Sequence, residues 1–286
     1  MNPEEQNKAL SGWQASARYW DKHRVLIAQM FAPLTSCLIE EARIGIDQKV
    51  LDIGGGGGEP SLTIAEIVGP TGSVMYTDPA AGMVETAQAE GARRGLINIQ
   101  FTQCSGDNLP FADGAFDVVV GRLSAMFFPD PAAGMCEALR VVCGGGVVSF
   151  AVWGAEEANP FFSAVNDAVD RAVEPAKSDP SAPDPFRFAV PGELAGILTS
   201  AGAENVMERQ LHFPIEAAIS FDQFWQLRTE MSESLREKMA RLTPAQLPAL
   251  KQAAGDAAQR YFAGGKMSFP AEALVVSGRK SRLSRS

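Results

Sequence analysis

The chain reads as an α/β protein built on a parallel sheet with helices on both faces. Short apolar runs of strand length recur at residues 50–53, 73–77, 99–102, 116–121 and 147–152. Amphipathic segments of helix length separate them, at 61–68, 80–94 and 132–142. A five-glycine bend, Gly54 to Gly58, joins the first run to the first of those segments. Buried strands linked by helical crossovers are the signature of a parallel sheet covered on both sides.

Residues 13–45 carry apolar side chains at helical spacing, including Trp20, Ile27, Met30, Phe31, Leu34 and Leu38, and Pro33 interrupts them, so two helices are expected there. After Trp153 the pattern changes. Residues 154–190 are rich in Pro, Ala and Asp, with the run KSDPSAPDPF at 177–186. A helix opening on Pro191 is expected at 191–201, a strand at 205–213, helical structure over 221–263 and a last strand at 273–277. The expected organisation is a helical cap (1–45), a ligand-binding core (46–153) and a segment (154–286) completing the sheet. Two helical insertions in that segment, 154–190 and 214–266, are expected to form a lid over the C-terminal edge of the sheet, where open α/β folds bind ligands.

Composition narrows the function classes. The 286 residues are 46% hydrophobic and 21% charged, ordinary values for a soluble globular protein. No apolar run reaches membrane-spanning length, and the polar start MNPEEQNKAL lacks the features of a secretory signal, so a cytoplasmic location is expected. Cys37, Cys104, Cys136 and Cys143 form no CxxC pair, and no metal-ligating cluster stands out. A net charge of −9 with dispersed Lys and Arg argues against a nucleic-acid partner. The basic tail after Gly278 is short enough to be a solvated end.

The stretch VLDIGGGGGEP, residues 50–60, points to a ligand at the first turn, because glycine lets a bound group approach the backbone. A dinucleotide fingerprint requires G-x-G-x-x-G, and the third position falls on Glu59, Pro60 or Ser61 in the three available registers. The P-loop lysine is also missing. Asp52 and Glu59 flank the bend and oppose a pyrophosphate, but suit a ligand carrying ammonium and sulfonium groups.

D-x-G-x-G-x-G, here Asp52, Gly54, Gly56 and Gly58, resembles the first motif of the class I S-adenosylmethionine-dependent methyltransferases. The continuation GEP is similar to the ubiquinone/menaquinone-type ("type 11") small-molecule branch. Three further stretches carry the resemblance: SVMYTDPAAGM (73–83), CSGDNLPFADGAFDVVV (104–120) and GRLSAMFFPDP (121–131). SFPAEALVVSGRK (268–280) is similar to endings in the same branch, whereas Val142, Cys143, Gly144 and Gly145 stand where members usually have K-P-G-G.

The resemblance implies a Rossmann-like seven-stranded sheet and S-adenosyl-L-methionine as cofactor, with S-adenosyl-L-homocysteine as product. It implies a methionine end held by Asp52, Gly54, Gly55, Gly56 and Gly58, and by Arg122, Leu123 and Ser124 after the fourth strand. It implies that Asp78 holds the ribose hydroxyls, beside Pro79, with Met83 on the adenine ring. Gly106, Asp107 and Asn108 would meet the adenine edge. From the residues alone, Asp78 serves equally well as a helix cap, and Asp107 as a turn cap.

A sulfonium methyl is already activated, so alignment and exclusion of water do most of the work and a base is optional. Only two histidines exist, His23 and His212. His23 lies four residues after Tyr19, on one helical face with it, and all three are candidate catalytic residues. Each also fits a packed or solvent-facing role. The expected activity is methylation of an oxygen, carbon or nitrogen on a small, partly apolar metabolite, by a monomer or a homodimer. A nicotinamide oxidoreductase and a non-catalytic cofactor-binding protein remain open alternatives.

Overall fold

A computed structural model describes residues 3–173 and 184–282. Most of the 177–186 run and the end of the basic tail lie outside the described residues. Three helices open the chain: α1 (Pro3–Lys22), α2 (Arg24–Met30) and α3 (Ala32–Ala42). The breaks fall at His23 and Phe31, so the expected two helices are three. Pro33 does not break a helix but lies in the first turn of α3, where its missing N–H costs no bond.

The core alternates as β1 (Lys49–Ile53), α4 (Ser61–Val68), β2 (Ser73–Asp78), α5 (Ala81–Arg93), β3 (Ile99–Gln103), β4 (Phe116–Arg122), α6 (Pro131–Val141) and β5 (Val142–Trp153). Asp130 caps α6, its Oδ1 accepting from the Ala133 amide at 3.0 Å. No separate turn follows α6. Residues 142–146 already belong to β5, and Gly145 bonds back to Lys280 on the neighbouring segment.

The remainder comprises α7 (Pro160–Ala172), α8 (Glu193–Ser200), β6 (Glu204–Ala217), α9 (Phe221–Met231), α10 (Glu233–Met239), α11 (Leu247–Ala258), β7 (Phe262–Ala263) and β8 (Lys266–Arg279). The helical reading of 221–263 resolves into three helices, and its last two residues are a strand. β6 runs four residues past the expected end at Phe213, into the stretch expected to start the second insertion.

The sheet order is β3-β2-β1-β4-β5-β8-β6, with β7 paired to β8. It has eight strands rather than the expected seven, the extra one being the two-residue β7. β3, β2, β1, β4 and β5 are parallel, and β8 lies antiparallel between β5 and β6. The chain winds outward from β1 through β2 and β3, then returns to place β4 on the other side of β1. That reversal opens a crevice at the C-terminal ends of β1 and β4.

The central strands β1, β4 and β5 are almost continuously buried and β6, at the edge, alternates, as their positions require. No single described helix is long and apolar enough to cross a membrane. The apolar pair α2–α3 is bent by 62° and supplies Ile27, Met30, Leu34 and Leu38 to the core.

Asn159, fully buried, fixes the helical insert to the sheet. Its side chain accepts from the Glu272 amide at 3.0 Å and donates to the Glu272 carbonyl at 3.0 Å and the Ala155 carbonyl at 2.9 Å. Asn159→Ala strands these buried backbone groups and is expected to lower the unfolding free energy by about 1–3 kcal/mol. Urea denaturation checks this, with the slope of the transition unchanged.

Candidate functional site

Everything at the crevice is organised around Asp52, the fourth residue of β1. Its side chain has no exposure. Oδ2 accepts from Ser61 Oγ, in the first turn of α4, at 2.6 Å, and Oδ1 has no partner. Burial pushes this carboxyl up to about 7; the hydrogen bond from Ser61 and the charge of Arg122 resist the shift. The carboxylate spans the glycine bend, tying the strand before it to the helix after it.

The bend itself is pinned from β2. The amides of Gly54 and Gly55 both donate to the Thr77 carbonyl at 2.9 Å. The Tyr76 hydroxyl donates to the Gly56 carbonyl at 2.6 Å, and the Gly56 amide donates to Asp78 Oδ2 at 3.0 Å. Two of these glycines do different jobs. A Cβ on Gly55 would lie 2.4 Å from the Tyr76 ring, so packing requires glycine there. Gly56 has φ of +52°, yet a Cβ there would meet no atom within 4 Å. Its backbone borders open space, the condition a ligand at the bend needs.

Asp78 ends β2 and is buried. Oδ1 accepts from the Ala80 amide at 2.9 Å, so it serves as the turn cap at the start of α5 as well as holding Gly56. Burial pushes its carboxyl up to about 6, against those two backbone bonds. Pro79 is half-buried beside it, and Met83, on the first turn of α5, is buried.

From β4, Ser124 Oγ donates to the Ile53 carbonyl at 2.6 Å, and Leu123 adopts a left-handed φ of +58°. Arg122 is buried and pairs with neither Asp52 nor Asp107. It donates to Thr35 Oγ1 at 2.6 Å and to the Glu59 carbonyl at 3.0 Å, joining α3 to the far end of the bend. Gly106 packs between Phe128 and Ile53, Asp107 accepts from Ser105 in a local turn, and Asn108 is exposed. The residues expected to hold a cofactor therefore gather at the ends of β1, β2, β3 and β4.

The expected helical cap covers this site, but local sequence carried no signal for the contacts that hold it there. α1 turns Trp13, Ala17 and Trp20 onto Ala80 and Met83, and Trp13 meets Phe127 edge-on at 5.1 Å. The Gly82 amide donates to Gln14 Oε1 at 2.8 Å. Arg24, buried, donates to the Gly57 carbonyl at 2.8 Å and the Thr86 carbonyl at 3.1 Å. Trp20 Nε1 is buried against the bend without a partner.

The candidate catalytic residues are not brought to the bend. Tyr19 lies between Arg18 and Arg236. His23 Nε2 lies 2.6 Å from Glu230 Oε2 on α9, beside Lys22 Nζ at 2.7 Å from Oε1. Burial raises the Glu230 carboxyl, but bonds from Lys22, His23 and Gln226 outweigh that and hold it at about 2. His212 is 64% exposed on edge strand β6, 3.4 Å from Glu272. Among the described residues no group of three His, Cys, Asp or Glu is placed to hold a metal ion.

Residues 51–150 match the family described as a methyltransferase domain. Over 134 residues the chain is 34% identical to an uncharacterized protein of Mycobacterium tuberculosis, an alignment covering 47% of each. It thus spans about half the length of the first curated relatives it matches. It is 31% identical over 201 residues to the nocamycin O-methyltransferase of Saccharothrix syringae, covering 66% of this chain and 70% of that protein. The crystal structure of the YcgJ protein from a Bacillus shares the fold, with a TM-score of 0.56 at 20% identity, covering 86% of this chain and 97% of that one.

The raised Asp52 carboxyl has a definite consequence for stability. Its folded value of about 7 lies above its ordinary 3.8, so its contribution is full below pH ~4 and is lost as pH rises through 7. The Tm of Asp52→Asn relative to the unsubstituted protein is therefore expected to rise between about pH 5 and about pH 8. A difference that is flat across that range contradicts the assignment.

Proposed function

Because the chain belongs to the class I S-adenosylmethionine-dependent methyltransferases, we propose that it methylates an oxygen, carbon or nitrogen of a small, partly apolar metabolite. The observation that carries this reading is the bend: a backbone open at Gly56 with a partnerless, buried Asp52 oxygen behind it. When bound, S-adenosyl-L-methionine supplies a sulfonium methyl carbon, which bonds to the acceptor's lone pair while the carbon–sulfur electron pair stays on sulfur.

The chain's own residues bind, orient and exclude water. Asp52 and Asp78 present two acidic groups to a cationic ligand, and among the described residues no lysine or arginine side chain donates to Gly56, Arg24 reaching only the Gly57 carbonyl. Asp78 takes the ribose hydroxyls, with Met83 beneath the adenine and Gly106–Asn108 at its edge. Gly54–Gly58 and Arg122–Ser124 line the methionine end. α1, held by Arg24 and Gln14, closes over the adenosyl group and keeps it dry.

Catalysis in this reading rests on alignment, which supplies about 7–11 kcal/mol in favourable cases. His23 meets α9 and Tyr19 meets α10, so in this reading they hold the cover rather than move a proton. The acceptor lies beyond the methionine end, against the aromatic side chains that follow β4 and β5. The likeness to an O-methyltransferase of a small molecule supports this acceptor class.

Two measurements test the reading. An acceptor screen with methyl-labelled S-adenosyl-L-methionine is expected to yield a labelled small-molecule product; binding without any product contradicts it. Asp78→Ala is expected to weaken S-adenosylhomocysteine binding in calorimetry by about tenfold or more, through loss of two charge-assisted bonds.

A further inference from the structure

Three arginines among the described residues are buried to nine-tenths or beyond: Arg24, Arg122 and Arg228. The first two are spent on the crevice, where carbonyl, hydroxyl and carboxylate oxygens satisfy them. Arg228, on α9, is not. It is 6% exposed, and no described carboxylate lies within ion-pair distance. Among the described residues its side chain makes one hydrogen bond, a long one from Nη2 to Asn166 Oδ1 at 3.3 Å, and its Nε is buried with no partner. The guanidinium rests instead over two rings, 5.1 Å from Phe161 and 4.9 Å from Phe162. Burial alone pushes it down to about 10.

A run of packed aromatic side chains leads from it toward the crevice. Phe161 and Phe162 open α7, just beyond the end of β5, and Phe162 meets Trp153 edge-on at 5.1 Å. Phe161 also faces Phe31 at 6.5 Å. Phe31 lies one helical turn, about 6 Å, before Thr35, the residue that holds Arg122 at the crevice. Burying a guanidinium without an anion is costly, and an anion brought to it would relieve that cost.

We propose that Arg228 is the anchor for a carboxylate on the acceptor, and that the substrate class is an apolar, ring-bearing acid. The proposal rests on the methyl-transfer reading above and sharpens it. A planar guanidinium with an uncommitted Nε matches a carboxylate edge, and the flanking rings match an aromatic or alicyclic body. A phosphate dianion would leave charge unbalanced among these rings. The carboxylate is the handle, and the methylated atom lies elsewhere on the acceptor.

The test uses the full chain and three aromatic acids, benzoate, 2-naphthoate and 2-anthroate, each against its methyl ester, with binding read by calorimetry and tryptophan fluorescence. At least one acid is expected to bind about tenfold or more tightly than its ester. Arg228→Met is expected to erase that preference and Arg228→Lys to keep part of it. S-adenosylhomocysteine affinity is expected to stay within about twofold in both variants. No acid preferred over its ester, or a preference surviving in Arg228→Met, overturns the proposal. If neither variant folds, the acid-to-ester ratio on the unsubstituted protein decides alone. Failure of that protein to bind S-adenosylhomocysteine would sink the methyl-transfer reading, while the same ratio still judges Arg228.

Discussion

A carboxylate with no contact to water stands at the end of the central strand, and the rest of the site is arranged about it. Asp52 is held by Ser61 across the glycine bend, and the Thr77 carbonyl, the Tyr76 hydroxyl, Asp78 and Arg24 hold the glycines between. The cost of burying that group shows in how far its carboxyl is raised. Where Asp52 and Asp78 are ionised, they oppose a phosphate ester and favour a sulfonium or ammonium.

The topology explains why the candidate residues meet at this spot. β1 and β4 are neighbours in the sheet but distant in sequence, so the bend after β1 and the Arg122–Ser124 segment after β4 meet at one crevice. Arg122 then reaches across to Thr35 and Glu59, and Arg24 to Gly57. Two buried arginines thus fasten the first three helices to the bend. Through His23 and Glu230 the same helices are fastened to α9, where Arg228 resides.

The sheet core was legible because its strands are buried on both faces and written as continuous apolar runs. The bend was legible because so many adjacent glycines have few structural uses. What could not be read was tertiary. The left-over alternation of β6 gave no sign that it extends through Pro214–Ala217, and the break at His23 has no proline or glycine to mark it. Arg24, Tyr76 and Gln14 each act on a backbone group 20 to 68 residues away, which no spacing encodes. The histidines illustrate the converse: residue type suggested a base, and the fold sets them beside Glu230 and Glu272, away from the bend.

The most direct measurement is a crystal structure of the full chain grown with S-adenosylhomocysteine. The ligand is expected in the crevice of β1 and β4, with its ribose hydroxyls on Asp78 and its amino-acid end against Gly54–Gly58. Density for the ligand at any other end or face of the sheet, or a bend that stays empty at saturating ligand, would contradict the role given to Asp52 and the glycines it holds.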